Sequence, residues 1–301
     1  MRTDKLGGHL AMAGAYAIFG FNIITSKDIA NSDVISPIVL FTLRAFGASL
    51  LFWLISLFLP KETIRRSDLP KIAAASVTGL FIPQFTFLMA ITMATPIDVA
   101  IMGTLGPIFT MFFAYLFLKE PITMKKASGV ALSFAGILLL IFNSVHAGGA
   151  AATTPAGIAL LLLNSLSFSF YLGLFRPLIS RYSVFTFMKW MFLCALLVSL
   201  PFSAKGLSTT NFAAIPGIVR WEIVFLVVFA TFVAYALIPY GQKQLRPTIV
   251  SMYSYLQPIL ASVISIWVGM DSLNWQKILA TILVVGGVIL VSRSRAAAPA
   301  G

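Results

Sequence analysis

The chain has 301 residues, 59% of them hydrophobic and only 10% charged, with a mean hydropathy of +0.97. That composition exceeds what one buried core can hide from water, so lipid must act as part of the solvent and a water-soluble enzyme is excluded. The formal charge of +12 would suit a nucleic-acid partner, but its distribution by loop assigns it to membrane topology instead.

A run of roughly 20 apolar residues crosses a ~30 Å hydrocarbon layer as a helix. Ten such windows are predicted near 6-25, 36-59, 72-94, 97-118, 127-143, 156-175, 184-203, 221-241, 248-270 and 276-292. Barrel strands are excluded, because runs such as Gly136-Ile137-Leu138-Leu139-Leu140-Ile141-Phe142 do not alternate. Arg2 and Lys5 ahead of the first window resemble a signal peptide, yet Ser26-Lys27-Asp28 follows it and no small-residue cleavage site does, so it is kept as the first span. The fifth and tenth windows are the shortest and are expected to stand most upright.

Between the fifth and sixth windows the segment from His146 to Pro155 is rich in Gly, Ala and Thr and reads as a flexible external linker. It divides the chain into a first five-helix unit, 1-146, a linker, 147-155, a second five-helix unit, 156-295, and a tail, 296-301. The two units share a register. Pro96, Val99, Leu105, Pro107, Lys126 and Gly136 recur as Pro247, Val250, Leu256, Pro258, Lys277 and Gly287, always 151 residues later, as do Ile72 and Phe81 as Ile223 and Phe232. Five crossings per unit is an odd number, so the second unit must enter the bilayer inverted. Inverted repeats of this kind mark secondary transporters.

With a cytoplasmic N-terminus, fifteen Lys and Arg residues fall on the inner side and only Lys27, Lys205, Arg220 and Lys277 on the outer. The bias sets both termini inside and gives the basic loops anionic lipid to face. Cys194 is the single cysteine, so neither a disulfide framework nor a cysteine metal cluster is expected. No motif for a metal or other cofactor is found, and none is expected.

The segment Ala94-Thr95-Pro96 through Leu105-Gly106-Pro107, then Leu118-Lys119-Glu120-Pro121 and the glycines 129 and 136, resembles the EamA-type members of the drug/metabolite transporter superfamily. Phe19-Gly20-Phe21-Asn22 and Leu43-Arg44-Ala45-Phe46 are similar to that family's elements in the first two spans, so the resemblance runs over essentially the whole chain. It implies an all-α integral membrane protein with ten helices in two inverted halves around a central cavity, in the plasma (inner) membrane. It further implies export or exchange of amino acids or similar small amphiphilic metabolites or drugs. Phe19 replaces the family's usual Trp, and the second copy of the acidic turn reads Met270-Asp271-Ser272.

Polar groups deep in hydrocarbon need a reason, so each is a candidate for holding a solute. Gln84 stands about twelve residues into the third span, ~18 Å along a helix, beside Pro83, which frees a backbone carbonyl. The repeat sets Tyr235 in the equivalent place. In the ninth span Tyr253 and Gln257 are four apart and share a face, next to Pro258. Their counterparts in the fourth span are Met102 and Gly106, next to Pro107. Arg44 either snorkels toward headgroups, orients a solute carboxylate, or pins an outer gate, with Asn22 as its expected partner. Lys189 either snorkels or takes part in gating. Glu120 either pairs with the surrounding lysines or gates. No acid or histidine lies deep, so proton coupling has no support. A membrane-embedded enzyme is set aside for want of a nucleophile-base pair or metal motif. A nonspecific channel or scaffold remains the alternative, with partners limited to a small solute and the bilayer and the oligomeric state open, a monomer being plausible.

Overall fold

The computed structural model describes residues 2–119, 122–146, 153–268 and 275–292. Among these the chain is helical, with connecting turns and no strand. Seven helical runs are long and apolar enough to cross a membrane: Leu6–Ser32, Pro37–Ser56, Arg66–Ile91, Pro96–Phe117, Pro155–Leu174, Val184–Thr209 and Gly217–Gln244. The shorter apolar helix Ile249–Ile264 and the helices Met124–His146 and Trp275–Ser292 fall on the remaining predicted windows. The acidic turn at Glu120 and its counterpart around Asp271 lie outside the described residues, as does most of the expected linker.

Helix starts follow local chemistry. The hydroxyls of Thr95, Thr154 and Ser183 accept from the N–H groups of Asp98, Gly157 and Thr186, at 3.2, 3.1 and 3.2 Å, and satisfy donors that have no partner within the helix. Lys119 closes the helix Gly106–Leu118 with a left-handed φ of 53°, a conformation that ends a helix abruptly.

Several helices are interrupted midway. A π-helical segment at Val77–Phe81 precedes Pro83, and a second at Leu226–Val233 precedes Tyr235. The fourth span splits into Pro96–Gly103 and Gly106–Leu118, and the ninth into Pro247–Met252, a 3₁₀ turn at Tyr253–Tyr255, and Leu256–Trp267. Pro83, Pro107 and Pro258 each sit in the first turn of the helix after a break. There a missing N–H costs least.

Core packing uses rings on one side and small residues on the other. Phe52 lies 4.6 Å from Phe232 and 5.5 Å, stacked, from Phe192, which ties the Pro37–Ser56 helix to Val184–Thr209 and Gly217–Gln244. Large side chains such as Phe46, Leu54, Leu197 and Val263 stay exposed along the outside, as a lipid-facing surface requires.

Contacts sort the turns into two ends. At one, Lys27 Nζ donates to the Ile91 and Ala94 carbonyls, both at 3.0 Å, and the Thr154 N–H donates to Met93 O at 3.0 Å. At the other, Arg181 Nη1 and the Tyr182 hydroxyl donate to Asp68 Oδ2 at 2.6 and 2.7 Å, the Ser183 N–H donates to Glu62 Oε2 at 2.9 Å, and Arg176 Nη2 donates to Leu245 O at 3.1 Å.

The helices Met124–His146 and Trp275–Ser292 pack on each other through small residues. A methyl group on Gly287 would lie 2.3 Å from the Gly129 carbonyl oxygen, whereas one on Gly286 would meet only Leu132 Cδ2 at 3.6 Å. Gly287→Ala is therefore expected to destabilise the protein by about 1–3 kcal/mol, as overpacking does, and Gly286→Ala to be near neutral. Thermal unfolding of the two variants in detergent checks this, and equal midpoints would refute the close packing.

Candidate functional site

The interruptions converge. A cavity of about 110 Å³ lies among them, lined by side chains from seven of the ten predicted spans. Asn22 with Tyr16 and Phe19 comes from the first helix, Arg44 from the second, and Pro83 with Gln84 from the third. The fourth contributes Gly103, Gly106 and Thr110, the eighth Tyr235, and the ninth Ser251, Ser254 and Gln257. Of the candidates read from the sequence, the structure thus brings Asn22, Arg44, Gln84, Gly106, Tyr235 and Gln257 to one place.

Met102 and Tyr253 are not in that lining. The expectation that each shares a face with the residue four positions on assumed an unbroken α-helix. The fourth span instead breaks at Thr104 and Leu105, and the ninth tightens into a 3₁₀ turn, where positions three apart eclipse. The cavity is accordingly lined by the pairs Gly103/Gly106 and Ser254/Gln257. Met102 turns into the core at 2% exposure, and the Tyr253 hydroxyl bonds His9 Nδ1 at 2.5 Å.

Arg44 and Asn22 both line the cavity but are not partners. Arg44 Nε donates to Thr231 Oγ1 at 2.9 Å, and Asn22 Oδ1 accepts from Ser26 Oγ at 3.3 Å. Snorkelling is overturned for Arg44, which is only 1% exposed. Lys189 sits outside the cavity with its ammonium 4.7 Å above the Trp53 ring, a cation–π contact on the helix surface.

The sixth helix carries polar groups that the sequence reading passed over. Asn164 Nδ2 donates to Pro83 O at 2.6 Å, and the hydroxyls of Ser165, Ser167 and Ser169 donate to the carbonyls of Met102, Thr78 and Gly106 at 3.2, 2.7 and 2.9 Å. These are carbonyls at or beside the breaks in the third and fourth spans. A helix broken in hydrocarbon needs such replacements, since no water reaches its backbone. The run Asn164-Ser165-Leu166-Ser167-Phe168-Ser169 in an apolar helix was the available signal.

Other polar atoms of the lining have no hydrogen-bond partner among the described residues: Arg44 Nη1, Thr110 Oγ1 and Ser254 Oγ. The Tyr235 hydroxyl lies beside the Gln84 amide. Gln257 Oε1 rests against Gly103, where a Cβ would stand 2.9 Å from it, so the fourth and ninth helices meet through a glycine and an amide. Among the described residues no group of metal-ligating side chains forms a metal site.

The model of the EamA-like transporter family matches the chain twice, over residues 6–142 and 155–293. The uncharacterised transporter YyaM of Bacillus subtilis is 25% identical, over 77% of this chain and 77% of its own length. A probable terminal-alkyne amino-acid exporter of Streptantibioticus cattleyicolor is 24% identical, over 76% and 75%. One solved crystal structure aligns over 97% of this chain and 98% of its own with a TM-score of 0.74 at 16% identity, a likeness of fold.

Asn164→Leu removes the partner of the Pro83 carbonyl while keeping side-chain volume. It is expected to cost about 1 kcal/mol, the scale of an interhelical hydrogen bond in a membrane protein. A lowered midpoint in detergent supports that role, and an unchanged or raised one refutes it.

Proposed function

The chain belongs to the EamA-like transporter family of membrane proteins, and on that premise we propose that it is a secondary carrier that moves an amino-acid-like or similarly amphiphilic small metabolite through the cavity by alternating access. The observation that carries this reading is the set of buried polar atoms on Arg44, Thr110 and Ser254 without partners among the described residues, around one cavity that the Gln84 amide also lines. In hydrocarbon such groups are costly unless something polar meets them. The relative named as an amino-acid exporter points to the same solute class.

The arrangement in this reading is ten spans in two inverted halves, 1-146 and 156-295, with both termini cytoplasmic and the linker 147-155 outside. Packing that survives exchange of the halves supports it. The first helix touches the eighth and ninth, as the sixth touches the third and fourth; the second packs on the seventh, the fourth on the ninth, and the fifth on the tenth. The π segments fall in register at the 151-residue offset. Inversion is supported by the ends: Lys27, late in the first helix, and Thr154, just ahead of the sixth, both meet the turn that ends the third. Breaks on both sides of a shared midplane site suit a carrier better than a fixed pore or a scaffold.

In proteoliposomes holding the purified full chain, saturable flux is expected for at least one solute in a panel of amino acids and related metabolites. Gln84→Ala and Gln257→Ala are each expected to lower that flux by about tenfold, the worth of one or two lost hydrogen bonds, with membrane insertion intact. Unchanged flux in both variants would move the site elsewhere. No saturable flux across the panel would overturn the carrier reading.

A further inference from the structure

The lining of the cavity contains an arginine and, among the described residues, no other charged side chain. Arg44 is among the largest fully buried side chains of the protein. Its Nε is used on Thr231 Oγ1, whose own hydroxyl donates to Leu226 O at 2.7 Å inside the π segment, so the guanidinium is anchored on one edge. The other edge, through Nη1, is buried and unpartnered. No salt bridge to Arg44 forms among the described residues, and the acids of the chain stand at helix ends and loops. The Tyr235 hydroxyl and the Gln84 amide, which lie beside each other, line the same cavity as the guanidinium.

A lone cation in a low-dielectric interior is unfavourable until an anion joins it, and a planar guanidinium with a free edge fits a carboxylate in particular. An ammonium finds no charged partner here; only amides, hydroxyls and ring faces remain for it. We infer that Arg44 is the anion-holding residue of the cavity, so that the carried solute is recognised through a carboxylate and needs no amino group. This rests on the carrier reading for its transport consequences, but not for anion binding itself. Thr231 acts as a positioning residue by holding the guanidinium edge.

Two measurements separate the inference from the reading beneath it. In the first, the detergent-purified full chain is unfolded thermally in increasing sodium formate, with ionic strength held constant by the sodium salt of a bulky sulfonate. Formate is expected to raise the wild-type midpoint saturably, to do so less in Arg44→Lys, and to have no effect in Arg44→Gln, which is itself expected to fold because it removes a buried unpaired charge. A wild-type midpoint indifferent to formate, a rise that never saturates, or the same rise in Arg44→Gln would overturn the anion site. Should Arg44→Gln fail to fold, the saturation test on the wild type and the reduced shift in Arg44→Lys still decide.

In the second, the solute that shows saturable flux is set against its own carboxamide and its own des-amino acid as competitors in proteoliposomes. The des-amino acid is expected to compete nearly as well as the parent, and the carboxamide at least about tenfold less, since a site built around a polar group rejects the analogue that lacks it. A carboxamide that competes as well as the parent overturns the inference while the carrier reading stands. A formate shift with no flux for any solute overturns the carrier reading and leaves the anion site supported.

Discussion

A helix inside hydrocarbon is allowed to break only where protein or an enclosed polar space takes up the backbone groups it releases. That constraint organises this molecule. Four helices lose α-helical regularity midway, at Val77–Phe81, between Gly103 and Gly106, at Leu226–Val233 and at Tyr253–Tyr255. All four breaks lie next to lining residues of one cavity, and on the first-half side serines and an asparagine of the helix Pro155–Leu174 supply the missing donors. The cavity is what the breaks enclose.

The two halves use this device unequally. Carbonyls in the third and fourth helices are bonded by side chains of the sixth, which immobilises that wall. At the equivalent break in the ninth helix the Ser254 hydroxyl has no partner among the described residues, and within the π segment of the eighth the Thr231 hydroxyl donates to Leu226 O and accepts from Arg44 Nε. The backbone breaks are thus bonded differently in the two halves, while polar side chains such as Thr110 and Ser254 stay open to the cavity on both sides.

Much of this was legible in the sequence, because its cause is local. Proline fixes where an N–H is missing, a 151-residue offset repeats the prolines, and polar residues in apolar runs are few enough to single out Gln84, Gln257, Tyr235, Asn22 and Arg44. Residue faces were less legible. Met102 and Tyr253 were assigned to the lining by α-helical spacing, and the break in the fourth span and the 3₁₀ turn in the ninth put Gly103 and Ser254 there instead. Such a break depends on tertiary support for the freed carbonyls, here partly from a helix more than fifty residues away in sequence. The π segment of the eighth helix carried no signal either, since no proline stands directly after it. A serine alone is a weak signal, because a hydroxyl in a membrane helix often bonds its own backbone, as those of Thr42 and Thr86 do here.

Alternating access asks the two ends of such a molecule to part in turn while the middle stays packed. The ties at the ends suit that demand. Lys27 holds backbone carbonyls, and the half-exposed Arg181 holds Asp68, contacts that water and counterions replace at little cost when they open. The ring cluster around Phe52 and the glycine contacts of Gly287 are apolar packing that water and counterions do not replace. Between the two regimes sits Arg44, whose charge water would stabilise and hydrocarbon would not. An anion seated on it lowers the cost of the sealed state relative to a state open to water. In the proposed carrier, the contact that selects the solute would thereby also favour closure around it.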